Sequence, residues 1–152
     1  WYYRSVPSVR PIADSPAPSS SQTICVHYLD GDPLEMLDDL KAKMKQWKAA
    51  GRYPEGWQAD QVARQHIAAS GYGGQFTHRL GPSLGPVVHG YGANLDGYET
   101  QDTRRLVPGL AFTIEPGVYL PGFGVRSEIN LYMEEGRLEV TSPVQRELIC
   151  LR

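Results

Sequence analysis

Cysteine is scarce: only Cys25 and Cys150 occur in 152 residues. Two are too few for a disulfide framework, so a reducing compartment, the cytoplasm, is the expectation. Neither sign of charge prevails. Fifteen Lys and Arg stand against seventeen Asp and Glu, and the pI of about 6.1 gives no long-range pull on nucleic acid or an anionic membrane. Long apolar runs are missing too. The best, Leu110–Leu120, holds Glu115 and Pro116 and falls short of the roughly twenty residues a bilayer-spanning helix needs. The N-terminus lacks a charged-then-apolar signal pattern. It starts Trp1-Tyr2-Tyr3 with no initiator Met, the expectation for a fragment or a processed product. What is present suffices for a globular core: 41% hydrophobic and 10% aromatic residues in a chain the size of one ordinary domain.

Ser5 to Gln22 holds four prolines and six serines. Such a stretch buries too little surface to offset its ordering entropy, so residues 1–22 are expected to be a flexible tail and 23–152 the folded domain. Ile24–Tyr28 reads as a short strand. Asp32-Pro33-Leu34-Glu35 is a helix start, with Asp32 as cap, Pro33 at the first helical position and Glu35 completing a capping box. Leu34, Leu37, Leu40, Met44 and Trp47 recur at helical spacing, and Gly51 ends the helix. A second helix is predicted from about Trp57 to Ser70, stopped by Gly71. Beyond it, Gly and Pro punctuate short runs rich in Val, Ile, Phe and Tyr. Gln75–His78, Val87–His89, Leu110–Glu115, Val118–Leu120, Gly124–Met133, Leu138–Thr141 and Arg146–Leu151 are predicted as antiparallel strands and hairpins. Helices followed by strands give an α+β class.

Titratable groups gather in the second half. Glu115 closes an apolar strand before a Pro-Gly turn. Strand alternation sets Arg126, Glu128 and Asn130 on one face. If the two segments pair, Glu115 and Glu128 could face each other, and like charges in an apolar setting must share a proton or bind a cation. His78 and His89 could point into the same cleft, and carboxylates with histidines suit a hydrolytic divalent metal. Plainer readings stand beside these. A Glu near an Arg on a strand is usually a surface ion pair, and a lone His in a strand-turn segment is usually structural, as assigned for His27 and His66. Gly71-Tyr72-Gly73-Gly74 follows a helix, so it reads as a cap and turn rather than a phosphate loop. The polar loop 92–102 reads as flexible and generic.

The strings Thr113-Ile114-Glu115-Pro116-Gly117-Val118-Tyr119-Leu120 and Phe123-Gly124-Val125-Arg126-Ser127-Glu128-Ile129-Asn130, preceded by Phe76-Thr77-His78-Arg79-Leu80-Gly81 and Val87-Val88-His89-Gly90, resemble the pita-bread metallopeptidases. The likeness is strongest to the Xaa-Pro aminopeptidase/prolidase branch, and it covers roughly Pro54 to Arg152. It implies a partial pita-bread fold, two helices packed on a curved, mostly antiparallel sheet. It also implies hydrolysis of Xaa-Pro bonds by two divalent metals (Mn, Co or Zn) held by two Asp, one His and two Glu. By resemblance, Glu115 is the first Glu ligand and the general acid/base, and Glu128 the second, bridging ligand. His78 and His89 are the non-ligand histidines that contact substrate and stabilise the transition state. Arg126 is the substrate-side arginine that orients Glu128.

The departures are as specific. The family's His ligand lies in a Gly-His-x-x-Gly string, and here Gly81-Pro82-Ser83-Leu84-Gly85 has Pro82 in its place, with no donor atom. The two Asp ligands should precede the first helix about ten residues apart, and the aspartates at 14, 30, 32, 38, 39, 60, 96 and 102 offer no such pair. The expectation is therefore a metallopeptidase-type domain that binds metal poorly and is inactive as this chain. The alternative is a non-catalytic peptide- or protein-binding module. The expected partner is a peptide with proline at position two, with no nucleic acid and no membrane. A lone half pita-bread should be poorly stable or form a homodimer through exposed apolar strands.

Overall fold

The computed structural model describes residues 33–122, 124–135 and 137–144. The tail 1–22, the Ile24–Tyr28 and Arg146–Leu151 strands, His27 and the Asp32 cap lie outside the described residues.

Helix α1 spans Pro33–Ala49. The stripe read from spacing is its core face: Leu37, Leu40, Met44 and Trp47 are buried, joined by Met36. Burial of each is worth roughly 1.5–3 kcal/mol against exposure. Gly51 follows at φ +68°, a conformation only glycine adopts freely. Helix α2 runs Gly56–Ala69. The Gln58 side chain accepts from the Glu55 amide at 3.0 Å, and Trp57 Nε1 donates to the Glu55 carboxylate at 2.6 Å. Ala59, Ala63 and Ile67 face the core. Gly71 at φ +86° terminates the helix, which bears out the cap-and-turn reading of Gly71–Gly74.

Among the described residues six strands follow: β1 Ser83–Leu84, β2 Ala111–Ile114, β3 Gly117–Tyr119, β4 Gly124–Arg126, β5 Ile129–Glu134 and β6 Arg137–Val140. They form a four-stranded sheet in the order β1-β2-β5-β6 and a two-stranded ribbon β3-β4, and every described pairing is antiparallel. Phe112, Ile114, Ile129, Leu131 and Met133 turn inward to the helices in one core. The α+β class stands, with α1 and α2 packed on an antiparallel sheet.

Three predicted strands differ. Gln75–His78 is instead the end of a short 3-10 turn, Gly73–Gln75, and an unpaired stretch, because the Phe76 and His78 carbonyls are taken by the Arg64 guanidinium rather than by a neighbouring strand. Val87–His89 is an exposed loop closed by Gly90 N donating to Ser83 O at 2.7 Å, and the preceding Pro86 has no amide for a ladder. Gly124–Met133 breaks at Ser127-Glu128 into β4 and β5, which belong to different sheets.

Candidate functional site

Register places the two glutamates. In β2·β5 Ile114 lies opposite Ile129, and in β3·β4 Gly117 lies opposite Arg126. Counting inward from either pair brings Glu115 opposite Glu128 and Pro116 opposite Ser127, whose amide donates to the Pro116 carbonyl at 3.2 Å. Thr113 pairs with Asn130 two steps away, so these four side chains share a face by strand alternation. Pro82 joins it: Ser83 pairs with Phe112, and Thr113 N donates to Pro82 O at 3.1 Å. The proline ring therefore stands on the same face as both carboxylates. Gly81 is required beside it, since a Cβ there would lie 2.0 Å from the Thr113 carbonyl oxygen.

Glu115 is buried and its carboxylate meets the Arg126 guanidinium at 2.5 Å. The arginine expected to orient Glu128 is thus paired with Glu115, which lies diagonally across from it two residues before its register partner Gly117. Burial works against the Arg126 charge, but the hydrogen bond and attraction of Glu115, with a smaller part from Tyr119, raise its pKa. Tyr119 Oη lies 3.1 Å from His78 Nε2, and His78 Nδ1 lies 2.7 Å from the Arg79 carbonyl. The imidazole stands edge-on to Phe76 and Tyr119, with centroids at 5.1 and 5.6 Å. Burial first, then the nearby Arg126 and Arg64 charges, hold its pKa below the ordinary 6.5 against the raising pull of the Arg79 carbonyl and Glu99. A Cβ on Gly117 would come within 2.8 Å of His78 Nε2, so the turn after Glu115 and the imidazole are in contact distance. Glu115, Arg126, Tyr119 and His78 form one polar chain.

His89 is not gathered into it. It is exposed in the loop after Gly85, and no hydrogen bond or ion pair joins it to His78 among the described residues. Tyr91, just beyond it, is 93% exposed. The loop folds back on Ser83, which carries both side chains outward.

Among the described residues the donor set does not suit a dinuclear metal centre. Glu115 and Glu128 are two oxygen donors, Pro82 supplies none, and Arg126 already occupies one Glu115 oxygen. Among the described residues no group of three or more His, Cys, Asp or Glu side chains comes together to hold an ion.

Buried acids behind the site were not singled out from the sequence. Asp60 is fully buried; burial raises its pKa against the opposing bonds of Arg64 and Leu80. The loop 92–102 is not generic. Asp96, also buried, accepts from the amides of Tyr98, Glu99 and Thr100 at 3.0, 2.9 and 3.1 Å. Asp102 accepts from Asn94 N at 2.8 Å, and Asn94 Oδ1 accepts from Ser83 N at 2.9 Å. The signals were present: an Asp and an Arg four apart on one helix, and acids leading polar turns. His66 bears out its structural reading, with Nδ1 3.1 Å from Asp39.

A family model described as metallopeptidase family M24 matches residues 35–135. The Xaa-Pro dipeptidase of Lactobacillus helveticus is 37% identical over 117 residues, 76% of this chain and 31% of its own length. Among solved structures, the prolidase from Pyrococcus horikoshii OT3 aligns with TM-score 0.58 at 31% identity, over 76% of this chain and 32% of its own. An Xaa-Pro dipeptidase from Bacillus anthracis aligns at 0.57 and 31%, over 80% and 34%. The chain therefore spans about a third of the length of these relatives. Among the described residues no helix is long and apolar enough to cross a membrane.

Proposed function

The chain belongs to metallopeptidase family M24, and on that premise we propose that its cleft binds peptides with proline at the second position and, as this chain, does not hydrolyse them. One observation carries the reading: the face that holds Glu115 and Glu128 also holds Pro82, and Glu115 is already neutralised by Arg126 at 2.5 Å. A pair of carboxylates with a guanidinium on one of them holds Mn, Co or Zn weakly, so the water nucleophile such metals generate near neutral pH is not supplied. The peptide-facing groups remain. His78 keeps one ring nitrogen on a backbone carbonyl and offers the other beside Tyr119. Its depressed pKa leaves the ring neutral near pH 7, and with Nδ1–H donated to the Arg79 carbonyl the Nε2 beside Tyr119 is the acceptor. His89, exposed nearby in sequence, is a second contact to the peptide. Self-association is a further part of the proposal. The large exposed apolar side chains Val87 and Val88 sit on a loop rather than a strand edge, and light scattering on the purified chain reads whether a homodimer forms.

Calorimetry with an Ala-Pro dipeptide, with and without Mn, together with chromatography of the products, tests the function. Binding without release of proline is expected in both conditions. Release of proline that depends on Mn would overturn the non-hydrolytic reading, and absence of binding would overturn the peptide reading.

A further inference from the structure

One helix pair grips the backbone under His78. Asp60 and Arg64 lie one turn apart on α2, and their ion pair is closed at 2.5 Å with both side chains largely buried. Arg64 donates to the Phe76 carbonyl at 3.0 Å and to the His78 carbonyl at 2.5 Å. Asp60 accepts from the Leu80 amide at 2.8 Å. Alternate residues 76, 78 and 80 are thus tied to α2, by two carbonyls and one amide; Phe76 and His78 lie in no described strand, whereas Leu80 also bonds the Leu95 carbonyl and the Glu115 amide, at 3.0 and 2.8 Å. The guanidinium is also stacked between two rings, 4.4 Å from the Phe76 centroid and 4.6 Å from that of Tyr98, contacts that gain strength where the cation is desolvated. Gly97 fits against Asp60, since a Cβ there would lie 3.0 Å from its Oδ2. Ordinary helix packing needs none of this; a buried ion pair is a poor source of net stability and a good source of a unique geometry.

We infer that Asp60 and Arg64 are positioning residues for His78. By fixing the backbone on both sides of it, they hold the imidazole against Tyr119 and the turn after Glu115, where a bound peptide would meet it. The inference deepens the peptide-binding reading and rests on it only for what His78 does, not for how His78 is held.

The test is a ¹H–¹³C spectrum of the histidine rings in the full chain, with the His78 signal assigned by its loss in His78→Asn. Stacked edge-on between Phe76 and Tyr119, that signal should be displaced by ring currents. In Arg64→Met it should move toward the position of a free imidazole while the other three histidine signals stay. Arg64→Lys, which keeps the charge and one donor, should move it less. Asp60→Asn keeps an acceptor for Leu80 but loses the charge that orients Arg64; it decides the matter should Arg64→Met not fold. An unmoved His78 signal in the folded variant, or equal movement of all four histidine rings, overturns the assignment. Ala-Pro affinity, measured alongside, should fall about tenfold in Arg64→Met, or about 1.4 kcal/mol. Failure of the unmodified chain to bind the dipeptide would strike the functional reading and leave the clamp standing.

Discussion

The Glu115 carboxylate and the Arg126 guanidinium meet at 2.5 Å across the strands whose register also sets Glu115 opposite Glu128. Glu115 is buried, whereas the Arg126 side chain is 40% exposed, so solvent screens part of the attraction. Arg126→Met should lower stability by about 1–2 kcal/mol, mostly because a buried carboxylate loses its partner. Glu115→Gln, which removes the charge needing neutralisation, should cost less. Urea unfolding of both variants checks the order, and equal midpoints for Arg126→Met and the unchanged chain would contradict it.

Restoring a donor at position 82 tests the count of ligands. Pro82→His should increase Mn affinity measurably, since an imidazole would then join Glu115 and Glu128 on one face. It should not produce turnover of Ala-Pro. Calorimetric titration with Mn reads the first outcome and proline release the second; cleavage by this variant alone would show that the ligands have been miscounted.

Stability should depend on pH through His78. Its folded pKa lies below 6.5, chiefly through burial, so the folded chain takes up the proton less readily than the unfolded one. The contribution is fully present above pH 6.5 and is lost as pH falls through the folded value. Asp102, where the bonds of Arg104 and Asn94 outweigh burial and lower the pKa, acts with the same sign only below 3.8. Asp60, raised by burial, has the opposite sign, its contribution being lost as pH rises from 3.8. Melting temperatures between pH 7.5 and 5.5 should therefore fall for the unchanged chain, and fall less for His78→Asn. Parallel profiles would contradict the assignment.

Two glycines separate packing from positioning. A Cβ on Gly81 would meet backbone, the Thr113 carbonyl oxygen at 2.0 Å, so Gly81→Ala should cost about 3 kcal/mol or prevent folding. A Cβ on Gly117 would meet side-chain ends, Tyr119 Oη at 2.7 Å and His78 Nε2 at 2.8 Å, which can swing aside. Gly117→Ala should cost about 1 kcal/mol yet move the His78 ring signal and weaken Ala-Pro binding. Chemical denaturation and the histidine spectrum distinguish the two cases.

Both helices were legible because their signals are local: an apolar stripe at helical spacing in α1, and Gly51 and Gly71 at positive φ where the periodicity stops. The antiparallel pairing of the segments that flank Glu115 and Glu128 was legible as well, from strand alternation and the Pro-Gly turn between them. The Gln75–His78 stretch was not. It has the composition of a strand, but its carbonyls are claimed by Arg64, fourteen residues before His78, and no local pattern announces a partner that far away. The same holds for His89, whose placement depends on how the loop folds back on Ser83, and for Asp96 and Asp102. Polar composition suggests mobility at those two acids, while the structure uses them to pin the loop.

The most direct measurement is Mn binding and Ala-Pro hydrolysis by the unmodified chain in one set of samples. Weak, substoichiometric Mn is expected, with the dipeptide bound and recovered intact. Stoichiometric Mn together with proline release would contradict it.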